Sequence, residues 1–221
     1  MRISMKQTPT KAEIKQICDQ RFSPETYKKL QRAAVAIAGL GGLGSNIAVM
    51  LTRSGIGRLK LVDFDKVDLS NLNRQAYHIC HLGKKKTEAL AELLQEINPY
   101  MELETIDRKV TEENAASLFQ GYRYVCEAFD DPSAKAMLAE QILTSTQDTY
   151  LISGSGMAGY SNANAIRTRK VNDRFYICGD ESTDLAEGMG LMAPRVAICA
   201  GHQANKVIQL ILQEHTETDV S

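Results

Sequence analysis

The amino-acid sequence predicts an α/β fold: a Rossmann-like open, mostly parallel sheet with helices on both faces and a few late antiparallel strands. Three observations carry this expectation. Short apolar runs alternate with segments of helical spacing along most of the chain, the pattern of a parallel sheet covered on both sides. The wholly apolar run 33–38 ends in the turn Gly39-Leu40-Gly41-Gly42-Leu43-Gly44-Ser45, and a glycine turn between strand and helix is where phosphates are cradled. Asp63 closes the next apolar run about 20 residues further on, where an acidic side chain grips a ribose hydroxyl.

Taken in order, residues 10–32 read as one or two polar helices. Thr10 and Glu13 stand at capping-box spacing, and Ser23-Pro24 opens a second helix. The run 33–38 is a buried strand, 46–54 a helix with Ile47, Met50 and Leu51 on one face, and 59–62 a second strand, so that 33–63 forms one βαβ unit. A helix over 84–97 stops at Asn98-Pro99. Strand 101–106, helix 112–119, strand 122–126, helix 132–144 with proline in its first turn, and strand 149–153 continue the alternation. Two late strands, 163–169 and 174–178, precede an acidic, glycine-punctuated stretch at 179–194 that reads as a mobile loop. A helix from Arg195 to Gln213 and a polar tail close the chain. The expected organisation is an N-terminal helical segment, 1–32, followed by a single Rossmann-like domain, 33–221.

Composition narrows the function. With 221 residues, a formal charge of -1 and a pI near 6.4, the chain has no global field to recruit nucleic acid or an anionic membrane. Its five cysteines, Cys18, Cys80, Cys126, Cys178 and Cys199, never form a CxxC pair, which argues against a disulfide framework and a structural zinc site. The N-terminus lacks the apolar core of a signal peptide, and no apolar run approaches ~18 residues. A cytoplasmic protein is expected.

The glycines alone suit an NAD(P) site as well as any other nucleotide site. The block Ser70-Asn71-Leu72-Asn73-Arg74-Gln75 separates the possibilities. Five polar side chains in six residues have no task in hydride transfer, whereas Arg74 can fork onto phosphate oxygens. Lys84-Lys85-Lys86 stands at a helix start, where a basic side chain works against the dipole unless it serves an anion. Spacing does not say which lysine does so. Asp130 and Asp131 follow a strand at its carboxyl end, where open α/β sheets bind ligands. Asp131 before Pro132 suits a helix N-cap, leaving Asp130 to face the site and hold Mg²⁺, which usually takes one or two carboxylates plus substrate phosphates. His78 and His81 around Cys80 read as a turn, and Met157, Met189 and Met192 as core fill or an adaptable partner surface.

The stretches GLGGLGS, DFDKVDLSNLNRQ, HLGKKKTEAL…INP and EAFDD, in this order and spacing, resemble the ThiF/MoeB/HesA family, which is similar to the adenylating half of ubiquitin-activating enzymes. The resemblance is dense over 33–135 and looser beyond, where ISGSGMAGY and APRVAICAGHQAN resemble the short ThiF-type branch. It implies ATP-dependent adenylation of the C-terminal glycine carboxylate of a ThiS-like ubiquitin-fold sulfur carrier ending in Gly-Gly, as in thiamine thiazole biosynthesis, with release of pyrophosphate. Matched to the family's motifs, Gly39, Gly41, Gly42, Gly44, Asp63 and Asp65 fall at ATP-binding positions. Ser70, Asn71, Asn73 and Arg74 fall on the phosphate-contacting segment. Lys86, twelve residues before Asn98 of INP, matches the family lysine, and Asp130, with Asp131 beside it, the metal-associated aspartate. Arg74, Lys86 and Asp130 are the expected catalytic groups, with ATP and Mg²⁺ as cofactors.

Many relatives carry two CxxC pairs for zinc; this chain has none, so no structural zinc is implied. Some use a late cysteine in a covalent step, for which Cys178 is the candidate. Family members also form homodimers and supply an N-terminal arginine across the interface, and Arg21 is the nearest match. Two other readings stand beside this one: an NAD(P)-binding oxidoreductase or regulatory module, and a relative that adenylates a different carboxylate on a tRNA base or a peptide.

Overall fold

In the computed structural model the described residues are 8–183 and 190–213. Helix α1 (Lys11–Phe22) starts on the expected capping box: Glu13 N donates to Thr10 Oγ1 at 3.2 Å, and Thr10 N donates to Glu13 Oε2 at 2.7 Å. Ser23 caps α2 (Pro24–Arg32), which buries Tyr27 and Leu30. From there strands and helices alternate: β1 (Ala34–Ala38), α3 (Gly42–Arg53), β2 (Arg58–Asp63), α4 (Lys86–Ile97), β3 (Glu102–Asp107), α5 (Glu112–Phe119), β4 (Tyr124–Glu127), α6 (Pro132–Ser145) and β5 (Tyr150–Gly154). Strands β6 (Arg167–Asn172) and β7 (Phe175–Gly179) and helix α7 (Ala193–Gln213) follow.

The sheet order is β3-β2-β1-β4-β5-β7-β6. Every neighbouring pair is parallel except β6 with β7, the antiparallel pair at one edge. The alternation within β1 shows why the run had to be apolar throughout. Val35 and Ile37 pack on the side of α3, α4 and α7, while Ala36 and Ala38 pack on the side of α5 and α6. The chain leaves β1 toward β2 and later returns on β1's other flank as β4, so the carboxyl ends of β1 and β4 diverge and open a crevice there.

Several boundaries move. Helix α3 begins at Gly42, not 46, because first-turn N–H groups need no intrahelical partner and apolar spacing does not register glycines. Helix α4 begins at Lys86: Val67 N bonds to Lys84 O and a bridge pairs Lys66 with Lys85, which holds the two preceding lysines extended. Residues 163–165 form a 3₁₀ turn, not the start of β6, with Asn162 Oδ1 accepting from Asn164 N at 3.0 Å. The stretch read as a mobile loop lies partly in β7 and α7; 184–189, including Met189, lie outside the described residues.

Candidate functional site

The crevice is a cavity of about 630 Å³, a size typical of small-molecule sites. Its floor is the glycine turn. Gly39 sits at φ +88°, a left-handed conformation that side chains resist, and a Cβ there would stand 2.9 Å from Ala128 O. Gly44 does not line the cavity. A Cβ on it would overlap the Gly39 carbonyl oxygen, so this glycine lets the turn close on the helix.

Asp63, at the end of β2, is buried and braces that turn: Oδ2 accepts from Leu40 N at 2.6 Å and Oδ1 from Asp65 N at 2.8 Å. Asp65 in turn pairs with Lys86, Nζ to Oδ2 2.8 Å, and its carbonyl accepts from Lys86 N. Lys86 keeps only 8% of its side chain exposed and faces the cavity. Its neighbours turn away, Lys84 to Glu92 at 2.5 Å and Lys85 to Asp107 at 2.6 Å. The three lysines therefore go to separate carboxylates, and of the three Lys86 lines the site.

The polar block 70–75 is fixed to the glycine turn from outside the sequence motif. Ala76 N donates to Ser45 Oγ at 3.1 Å, Tyr77 Oη to Leu40 O at 2.8 Å, and Asn46 Nδ2 to Arg74 O at 3.0 Å. Asn71 and Arg74 line the cavity, and the stem of Arg74 passes 3.5 Å from where a Cβ on Gly42 would stand. Arg74 Nη1 donates to Ser70 O at 3.0 Å and to Asn73 Oδ1 at 2.7 Å, and among the described residues the guanidinium meets no carboxylate. Ser70 and Asn73 thus shape the loop around Arg74 without lining the cavity; Ser70 also bonds Asp68, and Asn73 donates to Leu191 O at 3.2 Å.

On the opposite wall Asp131 caps α6, Oδ2 accepting from Ala134 N at 2.7 Å, while the neighbouring Asp130 is exposed in the cavity mouth. Behind them lies a pair that sequence reasoning missed. The Glu127 side chain, fully buried, takes both oxygens to Lys135 Nζ at 3.0 Å and also accepts from Phe129 N at 2.6 Å and from the Ser153 hydroxyl. Lys135 reaches the cavity and donates its remaining proton to Gly154 O at 2.9 Å. Arg108 and Lys109 were missed as well; they line the rim, Lys109 lying 5.6 Å from the centre of the exposed Phe64 ring. The far wall includes Ser182 and Thr183, held from behind by Asp180, which accepts from Ser182 N, Thr183 N and Thr183 Oγ1 and pairs with buried Arg195. Burial pushes the Asp180 carboxyl up, but the backbone and hydroxyl bonds outweigh it and hold the group below its ordinary value.

Two expected residues lie elsewhere. Arg21 is on α1, exposed and away from the cavity. Cys178 is fully buried in β7, its thiol pushed up to about 11 by burial against a partly offsetting bond to Thr168. His78 and His81 form a closed turn, His78 N donating to His81 Nδ1 at 3.0 Å. Met157 lines the cavity and Met192 is exposed. Among the described residues no three His, Cys, Asp or Glu side chains form a metal-binding group, and no helix is long and apolar enough to cross a membrane.

The profile of the ThiF family matches residues 15–220. The chain is 35% identical over 137 residues to the tRNA threonylcarbamoyladenosine dehydratase of Haemophilus influenzae, covering 61% of this chain and 52% of that one. It is 30% identical over 203 residues to the molybdopterin-synthase adenylyltransferase of Salmonella typhimurium, covering 89% and 80%. The chain spans about half the length of the dehydratase and 32% of the adenylyltransferase and sulfurtransferase of Aedes aegypti. Among solved structures, E. coli tRNA N6-threonylcarbamoyladenosine dehydratase in complex with AMP superposes with a TM-score of 0.82 at 22% identity, covering 94% of this chain and 98% of that one, which shows a shared fold. With the glycine turn, the polar crossover segment and a family match over most of its length, this chain belongs to the ThiF family.

Proposed function

We propose that the chain is an ATP-dependent adenylyltransferase that activates a carboxylate as an acyl adenylate. The observation that carries this is the convergence of Arg74 and Lys86, from two different elements, on a glycine-floored cavity whose mouth holds Asp130. A carboxylate oxygen attacks the α-phosphorus, the bond to pyrophosphate breaks, and no proton is transferred. The reaction thus needs positioning and cationic donors, with no base or nucleophile from the protein. In this reading the N–H groups at the start of α3 and the glycine backbone hold phosphate oxygens. Asp63 receives the ribose, Arg74 and Lys86 meet the charge that builds on the phosphates, and Asn71 donates beside them. Asp130 with Asp131 presents oxygen ligands of the kind that Mg²⁺ accepts alongside phosphates. When bound, the ion would neutralise the departing pyrophosphate.

The acceptor we favour is the C-terminal glycine of a ThiS-like ubiquitin-fold carrier. The chain's formal charge of -1 supports a protein partner over a nucleic acid. So does 45% identity over 87 residues to ubiquitin-like modifier-activating enzyme 5 of Arabidopsis thaliana. A homodimer belongs to the same proposal: α1 buries no residue and leaves Ile17 and Phe22 exposed for a second copy to cover, with Arg21 on the same helix. No covalent step is assigned to Cys178, given its burial. A second reading, in which the carboxylate sits on a threonylcarbamoyl-modified tRNA base, draws on the Haemophilus influenzae relative.

ATP–pyrophosphate exchange with a panel of Gly-Gly carriers and with modified tRNA separates these readings. Carrier-dependent exchange supports the first and tRNA-dependent exchange the second. Binding of NAD(P) without exchange for any acceptor would overturn adenylation altogether.

A further inference from the structure

Asn46 stands in the interior of α3, where asparagine is a poor helix former because its amide competes for backbone groups. Both of its amide protons have a use here. Nδ2 donates to Gly42 O at 2.6 Å, one turn back along its own helix, and to Arg74 O at 3.0 Å on the crossover segment. The two acceptors are carbonyls, so the side chain must donate twice. Aspartate has the same shape and no protons, and alanine or leucine, better in a helix, can make neither bond. The neighbouring ties run from Ala76 to Ser45 and from Tyr77 to Leu40; the Asn46 bond acts on the backbone of residue 74 itself. Beyond it, among the described residues, the guanidinium rests on Ser70 O and Asn73 Oδ1, two groups of its own loop. Of the ties between this loop and the glycine turn and its helix, the Asn46 bond is the one made to residue 74 itself, so it bears directly on how far Arg74 stands from the phosphate cradle.

We propose that Asn46 is a positioning residue for Arg74, tying the loop that carries the guanidinium to the first turn of the phosphate-binding helix. The inference rests on the adenylation reading for the role of Arg74. A misplaced donor weakens the transition state more than ground-state binding, because the glycine turn and Asp63 still hold the nucleotide. Asn46→Ala is expected to lower kcat for ATP–pyrophosphate exchange by about 10- to 100-fold while KM for ATP stays within about threefold; Asn46→Asp is expected to lose at least as much. In an Arg74→Lys background, Asn46→Ala is expected to add a loss of no more than about twofold, since the group it positions is already compromised. Gln31→Ala cuts a similar amide-to-carbonyl bond, to Gly55 O at 2.8 Å, at the far end of α3 and serves as the control for simple loss of stability; exchange should stay at the wild-type rate.

Independent, additive losses at 46 and 74, or a kcat for Asn46→Ala within twofold of wild type, would overturn the proposal. So would a loss confined to KM, or one shared by Gln31→Ala. If the wild type binds ATP but exchanges with no acceptor, it is the adenylation reading that fails. The same cycle, read as calorimetric affinity for magnesium pyrophosphate, then decides Asn46: coupling between 46 and 74 supports it, and independence overturns it.

Discussion

Lys135→Met would break the ion pair beneath the cavity, and its cost follows from the partners. The Glu127 carboxylate has no solvent exposure and loses two contacts at 3.0 Å, and Gly154 O loses a donor. Removing one member of a buried pair costs about 3–5 kcal/mol, mostly from the uncompensated charge left behind. Two features pull the value to the lower end. Glu127 keeps its bonds from Phe129 N and the Ser153 hydroxyl, and the Lys135 side chain is 22% exposed, so water already screens part of the attraction. A loss of about 3 kcal/mol is expected, and at this chain length each kcal/mol lowers Tm by about 2–4 °C, a fall of roughly 6–12 °C. Urea and thermal unfolding of the two proteins measure it. Adding Glu127→Gln to Lys135→Met should recover about 1 kcal/mol or more, because the amide still accepts from Phe129 N and no charge is stranded. A single-variant loss below about 1 kcal/mol, or a double variant less stable than the single, would refute this account of the pair.

Arg74→Ala and Asp130→Ala should each lower ATP–pyrophosphate exchange by about 10²–10³ with Tm nearly unchanged, since Asp130 is exposed and, among the described residues, the Arg74 guanidinium bonds to acceptors of its own loop. Exchange at the wild-type rate in either would defeat the assignment. At pH 8, iodoacetamide should label exposed Cys80 rapidly and Cys178 only after unfolding, because the Cys178 thiol is buried and raised to about 11; peptide mass spectrometry showing equal labelling in the native protein would contradict this. Asp180, held below its ordinary value in the fold, stabilises the wild type relative to Asp180→Asn at neutral pH. A lowered folded value means that this advantage is full above about pH 4 and vanishes as pH falls through the folded value. Urea midpoints of both proteins from acid to neutral pH should converge at the acid end, and a gap independent of pH would disprove it.

The parts of this fold that were legible in the sequence are those whose cause is local. An apolar strand buried on both faces, a capping box at Thr10 and a proline after Asp131 all act within a few residues, and all appear where the spacing put them. The triple lysine was not legible by spacing; what selects Lys86 is that Asp107 and Glu92, on other turns of the fold, take its neighbours. Lys135 and Glu127 were missed because their partnership crosses a loop, yet a signal was present. Glu127 ends the run YVCE, which pairs on both flanks within the sheet, and a carboxylate in such a strand needs a cation nearby. Arg108 and Lys109 come to the cavity only through the sheet order, which no local pattern encodes.

Among the described residues five cations line this cavity, Arg74, Lys86, Arg108, Lys109 and Lys135, and so do five carboxylates, Asp63, Asp65, Asp130, Asp131 and Glu181. The formal charges of these groups cancel, so what they offer a polyanion comes from where each is fixed. The carboxylates are largely occupied. Asp63 accepts from two backbone N–H groups, Asp65 holds Lys86, Asp131 caps a helix and Glu181 pairs with Arg169 at the rim. Lys135 spends its three protons on Glu127 and Gly154 O, but Arg74 and Lys86 are restrained without being used up: Arg74 leans on a carbonyl and an amide, and the Asp65 that holds Lys86 is itself 49% exposed. A phosphate entering between them meets donors already in place, and little reorganisation is left for the moment of reaction. That arrangement explains why ties such as Asn46 to Arg74 and Asp63 to Leu40 matter. They convert a cavity that is neutral in sum into one that is positive at the few points where phosphate oxygens would lie.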